Sequence, residues 1–92
     1  MESRTKGTMI LHYQGQFFKV ITARSSGGND WTFTCRELDT KHDQTLTLNL
    51  SGFLETLDKA LPHMKNPKDI LFLDLDNKGQ WKVVNEEQIK LL

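Results

Sequence analysis

The hydrophobic period changes once along residues 31–64, at Ser51, and that change limits what the chain can fold into. Before it, Trp31, Phe33 and Cys35 alternate with Thr32, Thr34 and Arg36. Leu46, Leu48 and Leu50 likewise alternate with Thr45, Thr47 and Asn49. A period of two is that of a strand with one buried face. After Ser51 the apolar residues are Phe53, Leu54, Leu57, Ala60, Leu61 and Met64, spaced as one stripe on a helix. Ser51 is suited to N-capping, and Glu55 and Asp58 favour the positive end of the helix dipole. Pro62 has no N–H to give, so the regular helix ends or kinks near Leu61.

Strands are also expected at 8–13, 16–24, 69–75 and 80–84. "QG" at 14–15 is a hairpin turn, "SSGGND" at 25–30 a loop and "DTKHDQ" at 39–44 a charged turn. "NEEQIKLL" at 85–92 reads as a short C-terminal helix capped by Asn85, with Gln88 three residues on. Short links between consecutive strands imply antiparallel neighbours. The expected fold is α+β: a four-stranded antiparallel meander followed by a helix, then a β-hairpin and a short C-terminal helix. Residues 1–7 are expected to be a flexible N-terminus and 8–92 a single domain. The helix stripe should cover the sheet face bearing Trp31, Phe33, Leu46 and Leu48.

Twelve basic and twelve acidic side chains give a formal net charge of zero among 92 residues, so no global field steers the chain toward nucleic acid or anionic lipid. A single cysteine, Cys35, excludes an internal disulfide and a multi-cysteine zinc site. The apolar runs are too short for a membrane span, and the polar start "MESRTKGT" is not expected to be a signal peptide. The expectation is a cytoplasmic protein without a membrane role.

"DLDNKGQW" at 74–81 has the outline of a calcium loop, with Asp74 and Asp76 at positions 1 and 3 and Gly79 at 6. The later positions fail: Lys78, Lys82 and Asn85 stand at 5, 9 and 12. Asp76, Asn77 and Gly79 are therefore expected to make a tight turn, with no metal bound. His12, His42 and His63 fall on a strand, a turn and a helix end, with no spacing that joins them to carboxylates. Cys35 shares the face of Trp31 and Phe33, which makes it a core residue rather than a nucleophile. "SSGG" lacks the Lys-Ser/Thr of a phosphate loop. No catalytic residues and no cofactor are expected, so the chain is read as a binding module and not an enzyme.

The sheet face opposite the helix carries the informative chemistry. Thr32, Thr34 and Arg36 lie there from one strand, and Thr45, Thr47 and Asn49 from the next. The second strand contributes Lys19 or Arg24, depending on register. Phe17 and Phe18 are adjacent, so alternation sends one of them outward. An aromatic side chain beside cations and hydroxyls suits single-stranded nucleic acid, where bases stack and polar groups hold phosphates.

Residues 5–61, four antiparallel strands and a helix, resemble one repeat of the PUR (purine-rich-element-binding) family and its Whirly-like relatives. "QFFKVITA" is similar to the aromatic-rich second strand, "SSGGNDWTFTCRE" to the loop and third strand, and "LTLNLSGFLETLDKAL" to the closing strand and helix. The resemblance implies single-stranded DNA or RNA bound across the sheet by a homodimer, with Phe17 or Phe18, Lys19, Arg24 and Arg36 as contacts. The hairpin at 69–84 lies outside that pattern. A small SH3-like barrel could also accommodate residues 6–50. The competing functional expectation is a protein-binding module, such as an inhibitor, immunity or adaptor protein, docking through a sheet edge or an apolar patch.

Overall fold

The computed structural model describes residues 8–91, with side chains described through Gln88. The expectation of a flexible segment at 1–7 lies outside the described residues. The chain runs β1 (Thr8–Tyr13), β2 (Gln16–Gly27), β3 (Asp30–Glu37), β4 (Asp43–Asn49), α1 (Phe53–Ala60), β5 (Asp69–Asp74) and β6 (Gln80–Asn85). Three short 3-10 turns lie at Leu61–His63, Leu75–Asn77 and Glu86–Leu91.

The meander, helix and hairpin occur in the expected order, but they do not form two separate sheets. All six strands join one mixed sheet in the order β4-β3-β2-β1-β5-β6. The join is parallel: Thr8 pairs with Ile70, Ile10 with Phe72 and His12 with Asp74. The other four pairings are antiparallel. The composition of β5 explains its place. Ile70, Leu71 and Leu73 are buried and Phe72 is half-buried, so the strand is apolar on both faces. A strand apolar on both faces belongs in the interior of a sheet, where both faces are covered. β6 instead alternates exposed and half-buried residues over most of its length, as a sheet edge does. The sheet is open, with β4 and β6 at its ends, and is not the small barrel that residues 6–50 could have made.

Turn chemistry sets the strand ends. Gln14 and Gly15 both have positive φ, 54° and 78°, the two-residue turn that matches strand twist. β2 and β3 run further than expected, to Gly27 and from Asp30, so "SSGGND" is mostly strand around a tight turn. Helix α1 starts later than expected. Gly52, at φ 75°, precedes Phe53, and no side chain caps the helix, so Ser51 does not serve as N-cap. The left-handed turn at Gly52 brings the Phe53 N–H to the Leu50 carbonyl at 3.2 Å. Pro62 ends α1 as expected, and the chain continues as the 3-10 turn Leu61–His63. The C-terminal segment is 3-10 rather than α-helical, although the Gln88 side chain accepts from the Asn85 N–H at 3.1 Å as its capping pattern requires.

The core lies between the sheet and α1. Leu11, Phe18, Phe33, Cys35, Leu48, Phe53 and Leu73 form it. Phe53 meets Trp31 at 4.9 Å between ring centroids and Phe33 edge-on at 5.5 Å. Leu54, expected on the helix stripe, is 58 % exposed instead. Asp69 is a buried carboxylate, and its Oδ2 accepts from the N–H groups of Lys65 (2.8 Å) and Asn66 (3.3 Å), which fixes the chain as it enters β5. Among the described residues no helix is long and apolar enough to cross a membrane.

Two outcomes test this core. Phe33→Ala should cost about 3–5 kcal/mol in chemical denaturation, because the Phe33 ring is fully enclosed. Cys35 is also fully buried, and burial pushes its thiol pKa up, with the nearby Asp43 charge adding to the effect. The native protein at neutral pH should therefore react with an aromatic disulfide reagent far more slowly than the denatured chain.

Candidate functional site

The sheet face opposite α1 has two halves of different chemistry. In the first, register fixes three rows across β2, β3 and β4. Lys19, Arg36 and Asp43 form one row, Thr22, Thr34 and Thr45 the next, and Arg24, Thr32 and Thr47 the third. A register shift between Val20 and Thr22 is what allows this. Lys19 and Arg24 are five residues apart, so strict alternation would put them on opposite faces. The bulge removes that conflict, and both cations lie outward.

Much of this half is engaged internally. Arg36 donates from Nε to Asp43 Oδ1 at 2.7 Å and from an Nη to Oδ2 at 3.3 Å. The pair raises the Arg36 pKa and lowers that of Asp43. The hydroxyls of Thr32 and Thr47 lie 3.2 Å apart, and Ser26 also bonds to Thr32. Asn49 donates to Asp30 at 2.9 Å. Thr34 is half-buried, and Thr45 is exposed at the edge. The structure thus places these expected site residues on the expected face, while several of their polar groups already have partners.

The second half is aromatic. Of the two adjacent phenylalanines, Phe18 is 2 % exposed in the core and drops out as a contact candidate. Phe17 faces outward. It pairs across the β1–β2 hairpin with His12, and the rings stack at 4.4 Å with 16° between planes. Phe72 from β5 completes the group, 6.2 Å from His12 and 5.9 Å from Phe17. Lys82 from β6 places its ammonium 5.8 Å from the Phe72 ring centroid, within cation–π range. Three adjacent strands, β2, β1 and β5, therefore present one half-exposed aromatic surface. Lys19 and Lys82 pair with the residues at its margins, Ile10 and Phe72.

A polar cluster borders this surface. His12 Nδ1 lies 3.0 Å from Asp74 Oδ1, and Nε2 lies 3.4 Å from Asp76 Oδ2. Asp76 also accepts from the N–H groups of Gln14 (2.7 Å) and Gly15 (2.9 Å), tying the β1–β2 turn to the β5–β6 turn. Asp74 accepts from the Asn77 N–H at 3.2 Å and from its side-chain amide at 2.9 Å. Partial burial works to raise the Asp74 pKa, but hydrogen bonds from His12 and Asn77 outweigh it and hold the carboxyl below its ordinary value. Contrary to the expectation that no histidine joins a carboxylate, His12 meets both Asp74 and Asp76. β1 and β5 lie side by side, so two residues 62 apart in sequence meet directly.

His12, Phe72 and Lys82 were not among the expected site residues. Alternation gave a signal for Phe72, since Leu71 and Leu73 flank it and both point into the core. The proximity of His12 to Asp74 had none, because it follows from a non-local parallel pairing. No protein-family model, curated protein or solved structure matches the chain.

The Asp76 tie between turns has a measurable consequence. Asp76→Ala should lower stability by about 1–2 kcal/mol, since it deletes two charge-assisted bonds at a partly exposed site. Amide hydrogen exchange at Gln14 and Gly15 should speed up, while exchange at Phe33 should change only as much as global stability does.

Proposed function

We propose that this domain is a non-enzymatic module that binds single-stranded DNA or RNA on the sheet face opposite α1. The observation that carries the reading is the contiguous aromatic group of Phe17, His12 and Phe72 on three adjacent strands. Aromatic faces on a sheet stack unpaired bases with little sequence preference. Lys19, Lys82 and Arg24 are exposed cations on this face and can follow the phosphates. Arg36 is the weaker candidate, because a contact with phosphate must compete with Asp43. The PUR-like resemblance adds a homodimer to this reading.

A second reading is supported by a separate feature. Ile21 is 47 % exposed beside a groove lined by Val20, Ala23, Leu57, Leu61 and Met64, on the α1 side of the sheet. A groove of this composition suits an apolar segment of a protein partner. The two readings use opposite faces, so variants separate them.

Fluorescence anisotropy with short labelled single-stranded DNA and RNA is the test. Binding should occur at low salt and weaken as salt rises. Phe17→Ala and Phe72→Ala should each reduce affinity about 5- to 150-fold, corresponding to about 1–3 kcal/mol per stacked base. Lys82→Ala should lower the salt slope by about one. Absence of binding at low salt, or binding unchanged in both phenylalanine variants, would overturn the proposal in favour of a protein partner.

A further inference from the structure

We infer that His12 and Asp76 form a binding site for one divalent transition-metal ion of the zinc class, with Asp74 positioning the imidazole. A metal-bound imidazole uses one ring nitrogen as ligand and commonly donates its other N–H to a carboxylate, which fixes tautomer and ring orientation. His12 Nδ1 stands 3.0 Å from Asp74 Oδ1, which supplies that acceptor. Donation from Nδ1 leaves Nε2 with a lone pair.

The second ligand is in place. Zinc bonds of about 2.0–2.2 Å to nitrogen and oxygen, at tetrahedral angles, put two ligand atoms about 3.4 Å apart. Nε2 of His12 and Oδ2 of Asp76 are 3.4 Å apart. The ligating carboxylate is itself held by the N–H groups of Gln14 and Gly15, so it need not be ordered on binding. The imidazole stacks on Phe17 at 4.4 Å between centroids, and its two edge nitrogens lie beside the carboxylates of Asp74 and Asp76.

The charge balance agrees. Among the described residues no lysine or arginine forms an ion pair with Asp74 or Asp76. Two carboxylates together complement a doubly charged ion. The three residues offer ligand atoms that all lie within 4.8 Å of one another. One nitrogen and one oxygen ligand favour zinc or a neighbouring transition ion over magnesium or calcium, which take oxygen ligands. The failed calcium loop of residues 74–85 does not bear on this site, because its key ligand comes from β1. The inference is independent of nucleic-acid binding.

The test is calorimetric titration of the full chain with Zn²⁺ and, separately, Mg²⁺, combined with nitrogen-15 NMR of the histidine rings. The expected result is one zinc per chain, a shift of His12 Nε2 on binding, and no comparable response to Mg²⁺. His12→Phe keeps the aromatic stack while deleting both nitrogens, and should abolish binding. Asp76→Asn should weaken it at least tenfold while retaining an acceptor for the hairpin. Asp74→Asn should weaken it about 10- to 100-fold and change the tautomer of His12 seen in the ring spectrum. A double His42→Ala, His63→Ala variant should bind as the parent does. Zinc uptake that survives His12→Phe in a folded protein, uptake lost in the His42/His63 variant, an unmoved His12 resonance or no binding at all would each overturn the inference.

Discussion

The parallel pairing of β1 with β5 is the contact on which the rest of the structure depends. Without it the chain would be a meander with a helix and a detached hairpin. With it, Ile70, Leu71 and Leu73 gain neighbours on both sides, and the hairpin becomes part of the sheet. The same pairing sets Phe72 beside the Phe17–His12 stack and sets Asp74 beside His12. Both the aromatic surface and the His–Asp–Asp cluster are thus products of one strand interface. Pairing residues 62 apart in sequence costs more chain entropy than closing a two-residue hairpin. It is compensated by a strand that is apolar on both faces and by the two Asp76 bonds that tie the turns.

The two faces of the sheet divide the labour. The α1 side holds the core, with Phe53 wedged against Trp31 and Phe33. The other side divides again. Over β3 and β4 the hydroxyl, amide and charged groups largely satisfy one another, as in Arg36 with Asp43 and Thr32 with Thr47. Over β2, β1 and β5 three rings lie beside one another and are only partly buried. Self-satisfied polar groups gain little from a new partner, since a new bond must replace an existing one. Half-exposed rings gain by being covered, which is why the aromatic half of the face is the better binding surface.

Local patterns were legible in the sequence and long-range ones were not. Alternation in 31–36 and 45–50, the "QG" turn and Pro62 each report on a few neighbouring residues, and the corresponding elements stand where those signals put them. β2 was harder. A single bulge near Ile21 brings both Lys19 and Arg24 to one face, and no residue type announces a bulge there. Ser51 has the chemistry of a cap, yet the left-handed conformation of Gly52 moves the helix start past it. Phe72 could have been placed from its apolar neighbours. His12 could not, because its significance comes from the carboxylates that β5 brings to it. The expected polar contacts at Thr32, Thr47 and Asn49 lie on the right face, but their mutual hydrogen bonds depend on register, which alternation alone leaves open.

The most direct measurement of the central claim is a backbone and aromatic NMR titration with a short single-stranded oligonucleotide at low salt. Shifts should concentrate on Phe17, His12, Phe72, Lys19 and Lys82, with Phe33, Phe53 and Leu48 unmoved. Shifts confined to Ile21, Leu57, Leu61 and Met64 would place the binding surface on the α1 side. That result, or a spectrum that does not change, would contradict the assignment of the aromatic face as the functional surface.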